Sequence, residues 1–241
     1  MLSLSRVRYL HRGGDGVREV NLSAGPGEVV ALVGQNGAGK TTLLRLLLGM
    51  LRPQSGSVSV LGRPLARLPR QEWSRVGHLI DSPLAYPELT TRENLRMAAR
   101  LHHADPVRCV DTALERWGLQ ALSSRRLRHL SLGNRQRVGL AAALQHTPDL
   151  VVLDKPGNSL DLAAVVTLRE ALAHRAAEGA AVLVSSHHLD EAARIADRIV
   201  VMHRGRLIGG LAPDDPDLEH AYFEAVRRDG AEQSATTRGT A

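Results

Sequence analysis

The sequence predicts an α/β fold: a mostly parallel sheet covered on both faces, with a block of helices inserted into it. Three observations carry this. Apolar stretches rich in β-branched residues alternate with helical patterns along most of the chain, the pattern of strand–helix–strand units. The middle of the chain, roughly 82–147, holds helical patterns only. At 241 residues and 43% hydrophobic content, the chain suits one large α/β domain or a core carrying a smaller subdomain.

In chain order, strands are expected at 3–9, 28–33 (EVVALV), 57–60 (SVSV) and 76–80 (VGHLI), with a helix at 40–48 after the second. Helical patterns follow at 92–101, 107–117 and 133–145. Apolar runs then return at 150–153 (LVVL), 181–185 (AVLVS) and 198–202 (RIVVM), separated by helices at 162–178 and 189–195. Pro213 and the acidic DDPD run close the core, and a short amphipathic helix lies at 217–227. The polar DGAEQSATTRGTA that ends the chain reads as a disordered tail. The expected organisation is a core of 1–81 and 148–212, a helical subdomain of 82–147, a C-terminal helix within 213–228, and a tail of 229–241.

Composition narrows the classes. Aromatics make up 2% of residues, so the core is built of Leu, Val, Ile and Ala. The single cysteine, Cys109, rules out an intrachain disulfide and agrees with a reducing compartment. No apolar run approaches the roughly 18 residues needed to span a bilayer, and MLSLSRVRYLHRGG lacks the apolar segment of a signal peptide. Net charge is +6, but the basic residues are scattered. The densest cluster, RRLRH at 125–129, carries no interleaved aromatics, and no nucleic-acid partner is expected. Nearly all the positive charge is arginine. Lysine occurs only at Lys40 and Lys155.

The stretch VVALVGQNGAGKTTLL (29–44) carries G-x-x-x-x-G-K-T between an apolar strand and a helical pattern, the context a P-loop requires. The segment Gly34, Gln35, Asn36, Gly37, Ala38, Gly39 turns its N–H groups inward around phosphate oxygens, and the helix N-terminus adds its positive end. Lys40 is placed to reach the β- and γ-phosphates, Thr41 to bind Mg²⁺, and Thr42 to add a hydrogen bond. Asp154, at the end of LVVL, suits the second half of such a site, a carboxylate holding Mg²⁺ directly or through water.

With these residues placed, the chain resembles the ATP-binding subunit of an ABC transporter over about residues 3–212. LSLGNRQRVGLA (130–141) is similar to the family signature LSGGQ, SLD (159–161) to its D-loop, and VSSHHLDEA (184–192) to its switch-histidine segment. The resemblance implies a P-loop NTPase with a RecA-like core, a small antiparallel N-terminal sheet and the inserted helical subdomain. It implies ATP and Mg²⁺ as cofactors and a head-to-tail pair of such domains, homo- or heterodimeric. A separate transmembrane permease would hold the chain on the inner, cytoplasmic face of the membrane. Each ATP would lie between the P-loop of one domain and Ser131, Gly133 and Asn134 of the other, with Asp161 in the D-loop and His187 donating to the γ-phosphate.

The departures from the family pattern are specific. Leu132 and Asn134 stand where glycine and glutamine are usual, and the leucine variant resembles drug and peptide-antibiotic exporters. The adenine-stacking position falls at Tyr9 or His11, with the register favouring His11. Asp81 takes the place of the Q-loop glutamine, where a carboxylate would still ligate Mg²⁺. Lys155 takes the place of the catalytic glutamate. A protonated lysine has only donors and accepts no proton from water. Losing such a base costs about 10²–10⁴ in rate, roughly 3–5 kcal/mol of barrier. The resemblance therefore implies an ATP-holding exporter subunit with weak hydrolysis. The rival readings of that lysine are a charge exchange with Asp81, so that Asp81 positions the water, and a recent or deliberate replacement of the usual glutamate; the bland reading is a salt bridge to Asp154 or a side chain turned to solvent. An ATP-driven dimerising switch without transport is the alternative function.

Overall fold

Each apolar run expected to be a strand is one. The computed structural model describes residues 1–81 and 85–238. In chain order the strands of its first half are β1 (Leu2–Leu10), β2 (Gly16–Ala24), β3 (Val29–Val33), β4 (Ser55–Val60), β5 (Arg63–Pro64) and β6 (Val76–Leu79), with α1 (Lys40–Leu47) after β3. The helical segment holds α2 (Thr91–Leu101), α3 (Pro106–Arg116) and α4 (Leu132–Leu144). Then come β7 (Leu150–Asp154), α5 (Leu162–Ala177), β8 (Ala181–Ser186), α6 (Leu189–Ala193), β9 (Arg198–His203), β10 (Arg206–Leu211) and α7 (Leu218–Arg238).

The strands form two sheets. A six-stranded sheet runs β10-β9-β3-β8-β7-β6, parallel except for β10, and a four-stranded antiparallel sheet runs β2-β1-β4-β5. The central strands are apolar up to the polar residues at their ends because both faces are covered. Val29, Ala31, Val33, Val151, Leu153, Val182 and Val184 face a core shared with the helical segment and α5. Their neighbours Val30, Leu32, Leu150, Val152, Ala181 and Leu183 face a second core, shared with α1 and the antiparallel sheet. Among the described residues no helix is long and apolar enough to cross a membrane.

Three strands were not expected. In β2 the alternation Val20, Leu22, Ala24 is interrupted at Glu19, whose φ of 53° is left-handed, and the β1–β2 register shifts nearby. The bulge breaks the period-2 pattern that marks a half-buried strand. β5 is two residues long, and β10 carries Gly209 and Gly210, poor strand formers.

The C-terminus also differs. Instead of a helix ending near 228 and a disordered tail over 229–241, α7 continues to Arg238. Within it, Asp229 bonds the imidazole Nδ1 of His203 on β9 at 2.6 Å, both side chains nearly buried, which fastens the helix to the sheet beyond its expected end. The last residues of the expected tail, 239–241, and the first of the expected helical subdomain, 82–84, lie outside the described residues.

Candidate functional site

Strand order and register assemble the site before any side chain is considered. β3, β8 and β7 are parallel neighbours, with Val33 paired to Ser186 and Ser185 paired to Asp154. Their C-terminal ends therefore lie side by side. The residues that follow (Gly34 to Gly39, Lys155 and His187) leave the sheet at one edge, the edge where open parallel sheets bind ligands.

The phosphate loop fits an anion. Gly39, the N-cap of α1, has φ 106°, a conformation open to glycine and costly for other residues, and no side chain caps this helix. By contrast α2, α3, α4 and α5 are capped by Thr90, Asp105, Ser131 and Asp161. The first N–H groups of α1 are thus left for a ligand, and Gly37 (φ 82°) turns the loop toward them. Lys40 is buried, 4% exposed, and its ammonium donates to the carbonyls of Gly34 and Gln35. Burial, then the charge of Lys155, lowers its pKa to about 8 against the pull of Asp154. A bound phosphate would oppose both effects.

The residues expected to hold Mg²⁺ have the right donors for it. Thr41 Oγ1 donates to Asp154 Oδ2 at 2.6 Å, so a hydroxyl and a carboxylate, both hard oxygen donors, face one point. The other Asp154 oxygen accepts from the Ser185 hydroxyl. Ser185 also accepts the Lys155 N–H at its side chain (3.0 Å) and its carbonyl (3.1 Å), tying the ends of β7 and β8 together. His11 Nε2 lies 3.3 Å from Thr42 Oγ1 and stands edge-on to Tyr9, so the candidate base-stacking ring adjoins the phosphate loop. His187 packs against His188 with ring centroids 3.8 Å apart and the planes tilted by 42°. Partial burial, then the charges of His188 and Lys155, hold its imidazole below the ordinary histidine range.

Two of the readings of Lys155, the pairing with Asp154 and the exchange with Asp81, require a carboxylate partner, and its side chain bonds to neither; nor is it turned wholly to solvent. Among the described residues its ammonium donates to Asn36 Oδ1, in the phosphate loop, at 2.8 Å. Asp154 is occupied as above. Asp81, the expected Mg²⁺ ligand and substitute base, is held by Arg45 of α1, whose Nη2 and Nε reach one carboxylate oxygen at 2.6 and 3.2 Å. An aspartate is one methylene shorter than a glutamine, and a guanidinium close by captures it. The charge exchange between Asp81 and Lys155 is therefore not formed, and Asp81 pairs with Arg45 instead.

The signature residues gather at the N-terminus of α4. Ser131 caps it by accepting from the Asn134 N–H at 3.2 Å, and Leu132 is 63% exposed. A Cβ on Gly133 would stand 2.5 Å from the Ser159 carbonyl, so glycine is what lets the signature touch the D-loop segment. Arg137 forms an ion pair with Asp161, and Gln136 donates to the Pro156 carbonyl at 3.1 Å. Asp161 caps α5 through the Ala164 N–H at 2.9 Å. One helix thus grips the loop after β7 at three points. Ser185, Arg45, Gln136 and Arg137 were not foreseen, because their partners become neighbours only once the sheet order is known.

Comparison with known proteins follows this geometry. Residues 17–158 match the family described as ABC transporter. A bacitracin transport ATP-binding protein, BcrA of Bacillus licheniformis, is 34% identical over 193 residues, 80% of this chain and 63% of its own. A lantibiotic transport ATP-binding protein, SrtF of Streptococcus pyogenes, is 31% identical over 208 residues, 86% of this chain and 89% of its own. A solved ATP-binding subunit of an ABC transporter superposes with a TM-score of 0.83 at 30% identity, covering 92% of this chain and 94% of that one. The chain spans a little under two thirds of the length of the bacitracin relative.

Proposed function

The chain belongs to the ABC transporter family, and from that premise we propose that it is an exporter's ATP-binding subunit that holds MgATP and hydrolyses it weakly. The observation that carries this reading is the pairing at one sheet edge of an intact phosphate loop with a lysine, Lys155, bonded to that loop where a base is needed. The N–H groups at the start of α1 and the ammonium of Lys40 bind the triphosphate. Thr41 and Asp154 hold Mg²⁺, which when bound neutralises phosphate charge. His187, through a ring N–H, hydrogen-bonds the terminal phosphate. Lys155, standing where the base is needed, takes no proton from water, so the γ-phosphate is hydrolysed slowly.

Two copies pair head to tail, Ser131, Gly133 and Asn134 of one meeting the triphosphate on the other. Exposed Leu132 beside the signature and Leu162 (80% exposed) beside the D-loop support that face as an interface. A separate permease is the second partner, and the export direction draws on the bacitracin and lantibiotic transport relatives. The same lysine favours a second reading, an ATP-driven dimerising switch without transport; copurification of a permease separates the two.

The test is nucleotide titration with size-exclusion chromatography. ATP is expected to bind the parent and shift it to a dimer, and Lys40→Ala is expected to do neither. A parent that binds ATP no better than Lys40→Ala overturns the reading.

A further inference from the structure

Lys155 has a positive role to explain as well as a missing one. Its main chain is fixed by others: its N–H donates to Ser185 twice, its carbonyl accepts from the Asn158 N–H at 3.1 Å, and its φ is 47°. From that anchor the side chain crosses to the phosphate loop and donates to Asn36 Oδ1 at 2.8 Å. An amide oxygen is a neutral acceptor. The bond therefore orients the ammonium without cancelling its charge and leaves two of its N–H donors for other acceptors. That charge is felt by both Lys40 and His187, which flank the phosphate site from the other two strand ends. Of 31 Lys and Arg residues the chain has two lysines, and both stand over one loop.

We propose that Lys155, set in place by Asn36, is a second phosphate-binding cation that lets this site hold ATP with little dependence on Mg²⁺. The inference rests on the ATP-binding reading above. Relative to a glutamate at this position, a lysine changes the local charge by two units, the same as the charge of a Mg²⁺ ion. A carboxylate there makes the metal necessary to offset its repulsion of the triphosphate; an ammonium there attracts the triphosphate itself. The effect scales with ligand charge, so it favours ATP over ADP most when metal is absent.

The experiment is equilibrium binding of ATP and ADP to the full chain, in excess Mg²⁺ and in excess EDTA, for the parent, Lys155→Gln, Lys155→Met, Asn36→Ala and Lys40→Ala. Thermal melts accompany each titration, and two neutral replacements of Lys155 guard against one failing to fold. Removing Mg²⁺ is expected to weaken ATP binding by less than about threefold in the parent and by about tenfold or more in the Lys155 variants, about 1.4 kcal/mol per decade. Asn36→Ala is expected to fall between them. The preference for ATP over ADP in EDTA is expected to shrink in the same variants. Equal EDTA penalties in the parent and in both Lys155 variants, with MgATP still bound, overturn the proposal alone. A parent that binds MgATP no better than Lys40→Ala overturns the ATP-binding reading on which it rests.

Discussion

Mild acid should loosen the joint between the helical segment and the sheet, and three histidines set the size of the effect. His146 follows α4, His102 follows α2, and their rings stack 3.7 Å apart and nearly parallel; His78 lies on β6. All three imidazoles are held below the ordinary histidine range, burial being the first cause in each, and His146 is lowered to about 3. Its ring nitrogens are enclosed and neither reaches a partner at hydrogen-bond geometry, although the Val76 and Ala142 carbonyls lie near enough to favour the charged form slightly. The sign follows from which state binds protons. Below the unfolded value of 6.5 the unfolded chain takes up a proton that folded His146 refuses, so stability is complete above pH 6.5 and falls as pH drops toward 3. At about 1.4 kcal/mol per pH unit, His146 alone costs about 2 kcal/mol at pH 5. His78 and His102 act in the same direction. His146→Phe keeps the stacked ring and removes the titration. Urea unfolding of both proteins at pH 7.5 and pH 5.0 measures the difference, with the parent expected to lose about 2 kcal/mol more than the variant. Equal losses would refute the assignment of acid sensitivity to His146.

Other predictions concern packing near the site. Gly133→Ala drives a Cβ to 2.5 Å from the rigid Ser159 carbonyl and should destabilise the chain by about 1–3 kcal/mol, visible as a melting point several degrees lower. An unchanged melt would mean that α4 does not press on the D-loop segment. Asp161→Ala removes both the α5 cap and the partner of Arg137, for about 1 kcal/mol, whereas Asp161→Asn keeps the cap and should cost much less. Equal urea midpoints for the two variants would count against the cap. Arg175→Met strips the buried guanidinium that holds the Pro148 carbonyl at 2.7 Å and pairs with Glu178, and should cost about 2–3 kcal/mol in urea unfolding. A loss below about 0.5 kcal/mol would show that water replaces those bonds.

The fold was legible where one physical cause acts on consecutive residues. VVALV and LVVL are visible as strands because burial on both faces leaves no polar position in them. β2 was hidden because the bulge at Glu19 moves its apolar residues out of phase, a feature of pairing with β1 rather than of the stretch itself. The end of α7 was misread for a related reason: a polar run looks like a tail until His203, 26 residues earlier, supplies a partner for Asp229. The site divides the same way. The phosphate loop is a local motif and could be read directly. The bonds that decide what Lys155 and Asp81 do join residues 119 and 36 apart, Lys155 to Asn36 and Asp81 to Arg45, and depend on strand order.

The most direct test of the central claim is steady-state ATP hydrolysis by the parent chain beside Lys155→Glu and Lys40→Ala. The main chain at residue 155 is held by Ser185 and Asn158 whatever the side chain, so the glutamate variant should fold as the parent does. The account predicts a parent rate near the Lys40→Ala background and a gain of about 10²–10⁴ in Lys155→Glu. A parent that turns over well above that background, with no gain from the glutamate, would contradict it.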